Sequence, residues 1–248
     1  LYSFWDRKIH YYKFKYAAQK SDVIIAISEQ TKQDIIKYLK IDASKIEVIY
    51  QGCSDIFKSN IDEFELEKVK TKYNLPQKFI LNIGTIEPRK NALNIVKSIQ
   101  NTDIPLILIG RKTKYYSEID NFITENKMKN VTHLSNVSQF ELACIYRLAT
   151  IFVYPSIFEG FGIPIIEALY SKIPVITNKS GVFPEAGGNH SVYIDPQSVE
   201  SIHASIIDLW ENIKKRKEIA DNGYQFVQKF NDELIANSWD DTYKNILK

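Results

Sequence analysis

The feature that most constrains this chain is its alternation of short, nearly unbroken apolar runs with longer amphipathic ones. Residues 22–27, 46–50, 79–83, 105–109, 131–134, 151–154 and 174–177 are strand-length and rich in apolar and β-branched side chains. A strand buried on one face alternates apolar with polar residues, whereas an unbroken run is covered on both faces. Between these runs, residues 29–39, 62–73, 91–100, 115–126, 138–149 and 163–170 read as helices, and further helices fill 198–210, 213–230 and 232–247. Ser28 and Thr31 are candidate caps for the first of them. Strands separated by helices predict a doubly wound, Rossmann-like α/β fold with a parallel sheet. Ligands of such sheets bind beyond the carboxyl ends of the strands, so the loops that follow strands are where function is expected.

The run at 46–50 ends in Gln51-Gly52, the next residues fit no period, and a new strand–helix series opens after the charged helix at 62–73. Residues 1–57 therefore read as the tail of an incomplete N-terminal domain, and 58–248 as a second, complete domain. A start at Leu1, with Met128 the sole methionine, fits a piece of a longer protein. Lys and Arg number 32 against 30 Asp and Glu, a net charge of +2 that argues against a nucleic-acid partner. The two cysteines, Cys53 and Cys144, have neither metal-like nor redox-like spacing and suit a reducing, cytoplasmic setting. No apolar run approaches the roughly 20 residues that span a bilayer.

Three loops after strands could carry chemistry. Gly84-Thr-Ile-Glu-Pro-Arg-Lys-Asn91 follows the run at 79–83 and places Arg89 and Lys90 where an anion could meet helix amides. The ordinary alternative is a solvated basic turn with Asn91 capping the next helix. Pro155-Ser-Ile-Phe-Glu-Gly-Phe-Gly-Ile-Pro-Ile-Ile-Glu-Ala168 follows the run at 151–154. Gly160 and Gly162 there bare a helix N-terminus, a natural cradle for phosphate. Glu159 and Glu167 could bracket one ligand and hold its hydroxyl groups; otherwise Glu159 caps the helix and Glu167 faces solvent. Gly110-Arg-Lys112 is the third loop and reads as a basic turn. His133 and His190 lack partners at ligand spacing and are read as non-catalytic. No HExxH, Walker-type or GxGxxG pattern is present, so no metal or other cofactor is expected.

Glu159-Gly-Phe-Gly-Ile-Pro-Ile-Ile-Glu167 resembles the E-x7-E signature of retaining glycosyltransferases of family 4, which have the GT-B fold. Gly84 to Asn91 resembles the first donor-domain loop of the same family. Weaker similarities run from about residue 20 to 230: Ala26-Ile-Ser-Glu29, Gln51-Gly52 with Asp55 and Phe57, Val137-Ser138 with Leu142 and Tyr146, and Pro174-Val-Ile-Thr177.

The resemblance implies transfer of a sugar, with retention, from a nucleoside-diphosphate sugar to a saccharide or lipid-linked acceptor in cell-surface polysaccharide synthesis. It implies that Lys90 and Arg89 neutralise the departing diphosphate, Glu159 contacts the transferred sugar and Glu167 the ribose hydroxyls. Backbone around Gly84, Thr85 and Gly160-Phe161-Gly162 would lie along the phosphates, and backbone near Val137 against the base. Many members carry Arg directly after the loop glycine, where this chain has Thr85. The alternatives are a non-catalytic sugar-nucleotide-binding domain and a GT-B-type epimerase. The opening stretch holds seven aromatics up to Tyr16 among Arg7, Lys8, Lys13 and Lys15. It either packs against the rest of its domain or touches the inner face of a membrane peripherally.

Overall fold

The computed structural model describes residues 3–247, and the chain divides into two compact units, residues 1–52 with 230–248 and residues 53–229. The first unit opens with α1 (Phe4–Lys20), where Ser3 and Asp6 form a reciprocal capping box. Next come β1 (Ile24–Ala26), α2 (Glu29–Asp34), a π-helical turn over Ile35–Leu39 and β2 (Ile46–Val48). Ser28 caps α2 by accepting from the amide of Thr31. β1 and β2 pair in parallel, over a small core of Ala18, Ala26, Ile41 and Ile46.

The second unit contains α3 (Glu63–Lys72), β3 (Ile80–Ile83), α4 (Ala92–Ser98), β4 (Leu106–Ile109), α5 (Tyr116–Glu125), β5 (Val131–Leu134) and α6 (Gln139–Leu148). It continues through β6 (Ile151–Tyr154), α7 (Ile163–Tyr170), β7 (Val175–Asn178), α8 (Phe183–Gly187), β8 (Val192–Ile194), α9 (Val199–Glu211) and α10 (Ile213–Val227). The chain then rejoins the first unit as α11 (Asp232–Ile246).

Six parallel strands form one sheet in the order β5-β4-β3-β6-β7-β8, the expected doubly wound arrangement. Every residue of β4, β6 and β7 is buried, which is why these runs do not alternate. Each large apolar side chain so buried contributes about 1.5–3 kcal/mol, so the unbroken runs anchor the sheet between its helices. From central β3 the chain builds outward to β4 and β5, then crosses to β6 on the other side of β3. Loops after β3 and β6 therefore leave in opposite directions and open a crevice at the switch point.

Two features depart from the sequence reading. The units divide between Gly52 and Cys53 rather than between residues 57 and 58, and the final helix groups with the first unit. The reason lies in aromatic packing. Phe57 is buried and meets Tyr146 of α6 edge-on at 5.6 Å, whereas the Phe230 ring meets Tyr50 at 5.3 Å. Thr242 on α11 also donates to Glu47 on β2. The second departure is β8 with α8 before it, which the sequence did not predict.

Candidate functional site

β3 ends at Ile83, and Gly84 turns the chain with φ 139°. The side chain of Lys90 folds back over this turn: a Cβ on Gly84 would lie 3.4 Å from Lys90 Cε. Gly110, after β4, packs still closer, because a Cβ there would fall 1.9 Å from the Gly84 carbonyl oxygen. Bare backbone in both loops therefore brings them together beside Lys90. Across the crevice, the Ile157 amide donates to the Arg89 carbonyl at 2.9 Å and ties the loop after β6 to the loop after β3.

One carboxylate oxygen organises the centre. Glu159 Oε1 lies 2.6 Å from Lys90 Nζ and 2.9 Å from Arg89 Nη1. It also accepts from Ser156 Oγ at 2.7 Å and from the Tyr154 hydroxyl at 2.9 Å. Burial alone would raise the Glu159 pKa, but hydrogen bonds from Lys90, Ser156 and Tyr154 together with the Lys90 charge outweigh it and hold the carboxyl below its usual range. Arg89 also pairs with Glu87 at 2.7 Å and donates to the Phe158 carbonyl. Two cations thus face two carboxylates, and the ligand-free cluster carries no formal net charge.

Glu167 lies on α7 and accepts from the Tyr146 hydroxyl at 2.8 Å. Burial raises its pKa, and the Tyr146 bond offsets only part of the rise. It is partly buried and does not face open solvent. Gly162, with φ 107°, is the N-cap of α7, and no side chain caps this helix. Glu159 is therefore not its cap. Phe161 is buried, so a ligand can meet only its backbone. Asn91 occupies the N-cap position of α4 but makes no side-chain cap bond; it adopts a left-handed conformation and its side-chain amide donates to the Pro196 carbonyl.

Beyond β4 and β5 lies a cleft of about 710 Å³ lined by Gly110, Arg111, Lys112, His133 and Val137 among others. The Lys112 ammonium sits 3.8 Å from the centre of the Tyr116 ring. His133 Nε2 bonds the Gly110 carbonyl at 2.8 Å, and burial pushes the His133 pKa down, so this histidine braces the loop. His190 packs its ring against Phe226.

Gly84, Thr85, Arg89, Lys90, Glu159, Gly160, Phe161, Gly162 and Glu167 thus collect around the loops at the switch point, and Val137 lines the cleft beyond β5. Tyr154 and Ser156, which hold Glu159, and Tyr146, which holds Glu167, had no assigned part in the sequence reading. Tyr154 reads as the end of an apolar run, and only the sheet brings its hydroxyl to Lys90. Among the described residues, no group of three or more His, Cys, Asp or Glu could hold a metal ion. None of the described helices is long and apolar enough to cross a membrane.

Comparison with known proteins supports the same frame. The chain is 30% identical over 237 residues to the O-antigen chain mannosyltransferase RfbU of Salmonella typhimurium, covering 92% of this chain and 63% of that protein. It is 28% identical over 240 residues to the capsular polysaccharide biosynthesis glycosyltransferase CapM of Staphylococcus aureus, covering 91% and 62%. The chain thus spans less than two thirds of these relatives. A glycosyltransferase structure from Rickettsia africae superposes with a TM-score of 0.86 at 24% identity, covering 95% of this chain and 67% of that one. Anabaena HepE, crystallised with UDP and glucose, superposes with a TM-score of 0.84 at 20% identity, covering 92% and 65%. Residues 2–55 match the family described as Glycosyltransferase Family 4. The family described as Glycosyl transferases group 1 matches residues 63–226, which include every residue of the Lys90–Glu159 cluster, and the chain belongs to that family.

Proposed function

We propose that this chain holds the donor site of an enzyme that transfers a sugar, with retention, from a nucleoside-diphosphate sugar to a saccharide or lipid-linked acceptor in cell-surface polysaccharide synthesis. The observation that carries this reading is the Lys90–Arg89–Glu159 cluster at the switch-point crevice. The names of RfbU and CapM support the polysaccharide setting, and the ligands of HepE support the donor class.

As the bond from the sugar anomeric carbon to the phosphate oxygen breaks, its electron pair goes to the diphosphate, while the acceptor hydroxyl oxygen bonds to that carbon from the same face and its proton passes to the departing phosphate. Lys90 and Arg89 meet that growing charge, together with amides of the Gly160–Gly162 segment at the N-terminus of α7. Glu159 holds hydroxyls of the transferred sugar and Glu167 those of the ribose. The base lies near the Val137 backbone. Side-chain cations supply the positive charge, and no divalent metal is required.

A thermal-stability screen of UDP-, GDP-, ADP- and dTDP-sugars tests the donor site. A donor at 100 times its dissociation constant stabilises by about 2.7 kcal/mol, and EDTA leaves that gain in place. Proton NMR of the product formed by the whole protein reads the anomeric configuration. Inversion overturns the stereochemical part of the proposal, and a screen in which no nucleotide sugar stabilises the chain overturns the rest.

A further inference from the structure

Tyr154, the last residue of β6, has its hydroxyl between the two ions of the crevice. Lys90 Nζ donates to this hydroxyl over 2.5 Å, and the hydroxyl donates to Glu159 Oε1 over 2.9 Å. A phenol has one proton, and an ammonium can only donate, so the phenol proton must point at Glu159. The bonds therefore run in one direction, from Lys90 to Tyr154 to Glu159.

The ring cannot turn away from this position. It stacks on Phe152 with centroids 5.7 Å apart and planes 16° apart, and it meets Phe183 at 6.4 Å. Thr177 Oγ1 on neighbouring β7 donates to the Tyr154 carbonyl at 2.8 Å. The Lys90 ammonium also lies 4.9 Å from the ring centre, within cation–π range. Burial raises the phenol pKa far above its usual value, so the hydroxyl stays neutral and keeps both roles.

We infer that Tyr154 is a positioning residue, which keeps Lys90 and Glu159 aimed and apart when a diphosphate takes the place of Glu159 on the lysine. The inference rests on the donor-site reading above. An ammonium has three protons, so Lys90 can hold Tyr154 and still turn toward phosphate oxygens. Glu159 retains Tyr154 and Ser156 on Oε1 and presents Oε2 to a sugar hydroxyl. Without the phenol, nothing holds the lysine between its partners, and it follows either the carboxylate or the ligand. The groups facing Glu159 are Lys90 and Arg89 from the loop after β3, with Glu87 acting through Arg89, and Tyr154 and Ser156 from β6 and its loop.

Tyr154→Phe removes the hydroxyl and keeps the ring. Carbon-13 NMR of the Glu159 carboxyl, in ligand-free wild-type and variant chains, reads the loss of the bond directly. The Glu159 pKa is expected to rise by about one unit, since one hydrogen bond to the charged form is gone. Calorimetry with UDP, GDP and their sugars is expected to show about a tenfold loss for the nucleotide sugar and a smaller loss for the diphosphate. Phe152→Leu, which loosens the same packing and keeps the hydroxyl, is expected to lower the melting temperature without moving the Glu159 pKa. A Tyr154→Phe chain with an unmoved Glu159 pKa and wild-type affinities overturns the inference. Failure of the wild-type chain to bind any nucleotide overturns the donor reading and the inference with it, and the ligand-free NMR comparison then reads only the Tyr154–Glu159 bond.

Discussion

Lys90 and Glu159 are 69 positions apart in the chain, yet the lysine ammonium lies 2.6 Å from one carboxylate oxygen and each side chain is only 13% exposed. With Arg89 paired to Glu87 and Glu159 as well, the four charges of this cluster are balanced before any ligand arrives. On the proposed function, an incoming diphosphate replaces Glu159 as the partner of the cations rather than filling an open positive pocket.

Glu159→Gln tests that exchange. The substitution leaves the cluster one positive charge in excess, so the bare nucleoside diphosphate is expected to bind about tenfold more tightly. The nucleotide sugar is expected to gain less, because the charged acceptor for its hydroxyls is lost. The pH dependence follows from the lowered Glu159 pKa. Its ionised form contributes stability above the ordinary carboxylate range near pH ~4.3 and loses it as the pH falls through the lower folded value. The melting-temperature deficit of the variant at pH 7 should therefore shrink in acid. Equal affinity of variant and wild type for the diphosphate would contradict the exchange.

Glu167→Gln has the opposite sign. Burial raises the Glu167 pKa, so the fold favours the neutral form; that contribution is complete below the unfolded pKa and lost as the pH rises through the folded one. Above that folded value the ionised group opposes folding. The amide variant keeps an acceptor for Tyr146, so it should melt higher than wild type at pH 7 and show no such gain in acid. Hydrogen bonds to a charged acceptor contribute about 1 kcal/mol more than neutral ones, so affinity for the nucleoside diphosphate should fall roughly five- to tenfold. Scanning calorimetry at two pH values and one binding titration check both halves.

Much of this arrangement is legible from residue patterns. The unbroken runs of β3, β4 and β6 announce strands covered on both faces, and the rule that ligands sit beyond such strands leads to Lys90 and Glu159 directly. The missed parts fail for identifiable reasons. β8 is three residues long and follows short helical turns around Gly187 and Gly188, so no periodicity marks it. The unit boundary depends on Phe57 packing with Tyr146 and Phe230 with Tyr50, partners remote in sequence. Tyr154 looks like one more apolar strand residue, because the pattern shows its ring and not the hydroxyl at the strand end. The neutrality of the cluster is hidden too, since the pattern offers Glu159 as a partner for hydroxyls or a helix cap and not as a counter-ion.

Gly110 tests how the crevice is built. Its φ of 153° and the 1.9 Å approach of a Cβ to the Gly84 carbonyl leave no room for alanine. Gly110→Ala should cost on the order of 3–5 kcal/mol, the upper range for one substitution. For a chain this size that corresponds to a loss of roughly 10 °C in melting temperature. A variant that melts like wild type would mean that the two loops are not pressed together as described.

The most direct test is turnover by the whole protein carrying Lys90→Ala. Removing a preorganised donor from a developing anion costs on the order of 3 kcal/mol, so turnover should fall roughly 100-fold. Donor binding should fall less, because charge on the leaving phosphate grows as the bond breaks. Glu159 keeps Arg89, Tyr154 and Ser156, so the variant should remain folded. Arg89→Ala, whose side chain is 39% exposed and shared with Glu87, should show a smaller deficit in the same direction. A folded Lys90→Ala protein with wild-type turnover would contradict the role given to this lysine and to the cluster built on it.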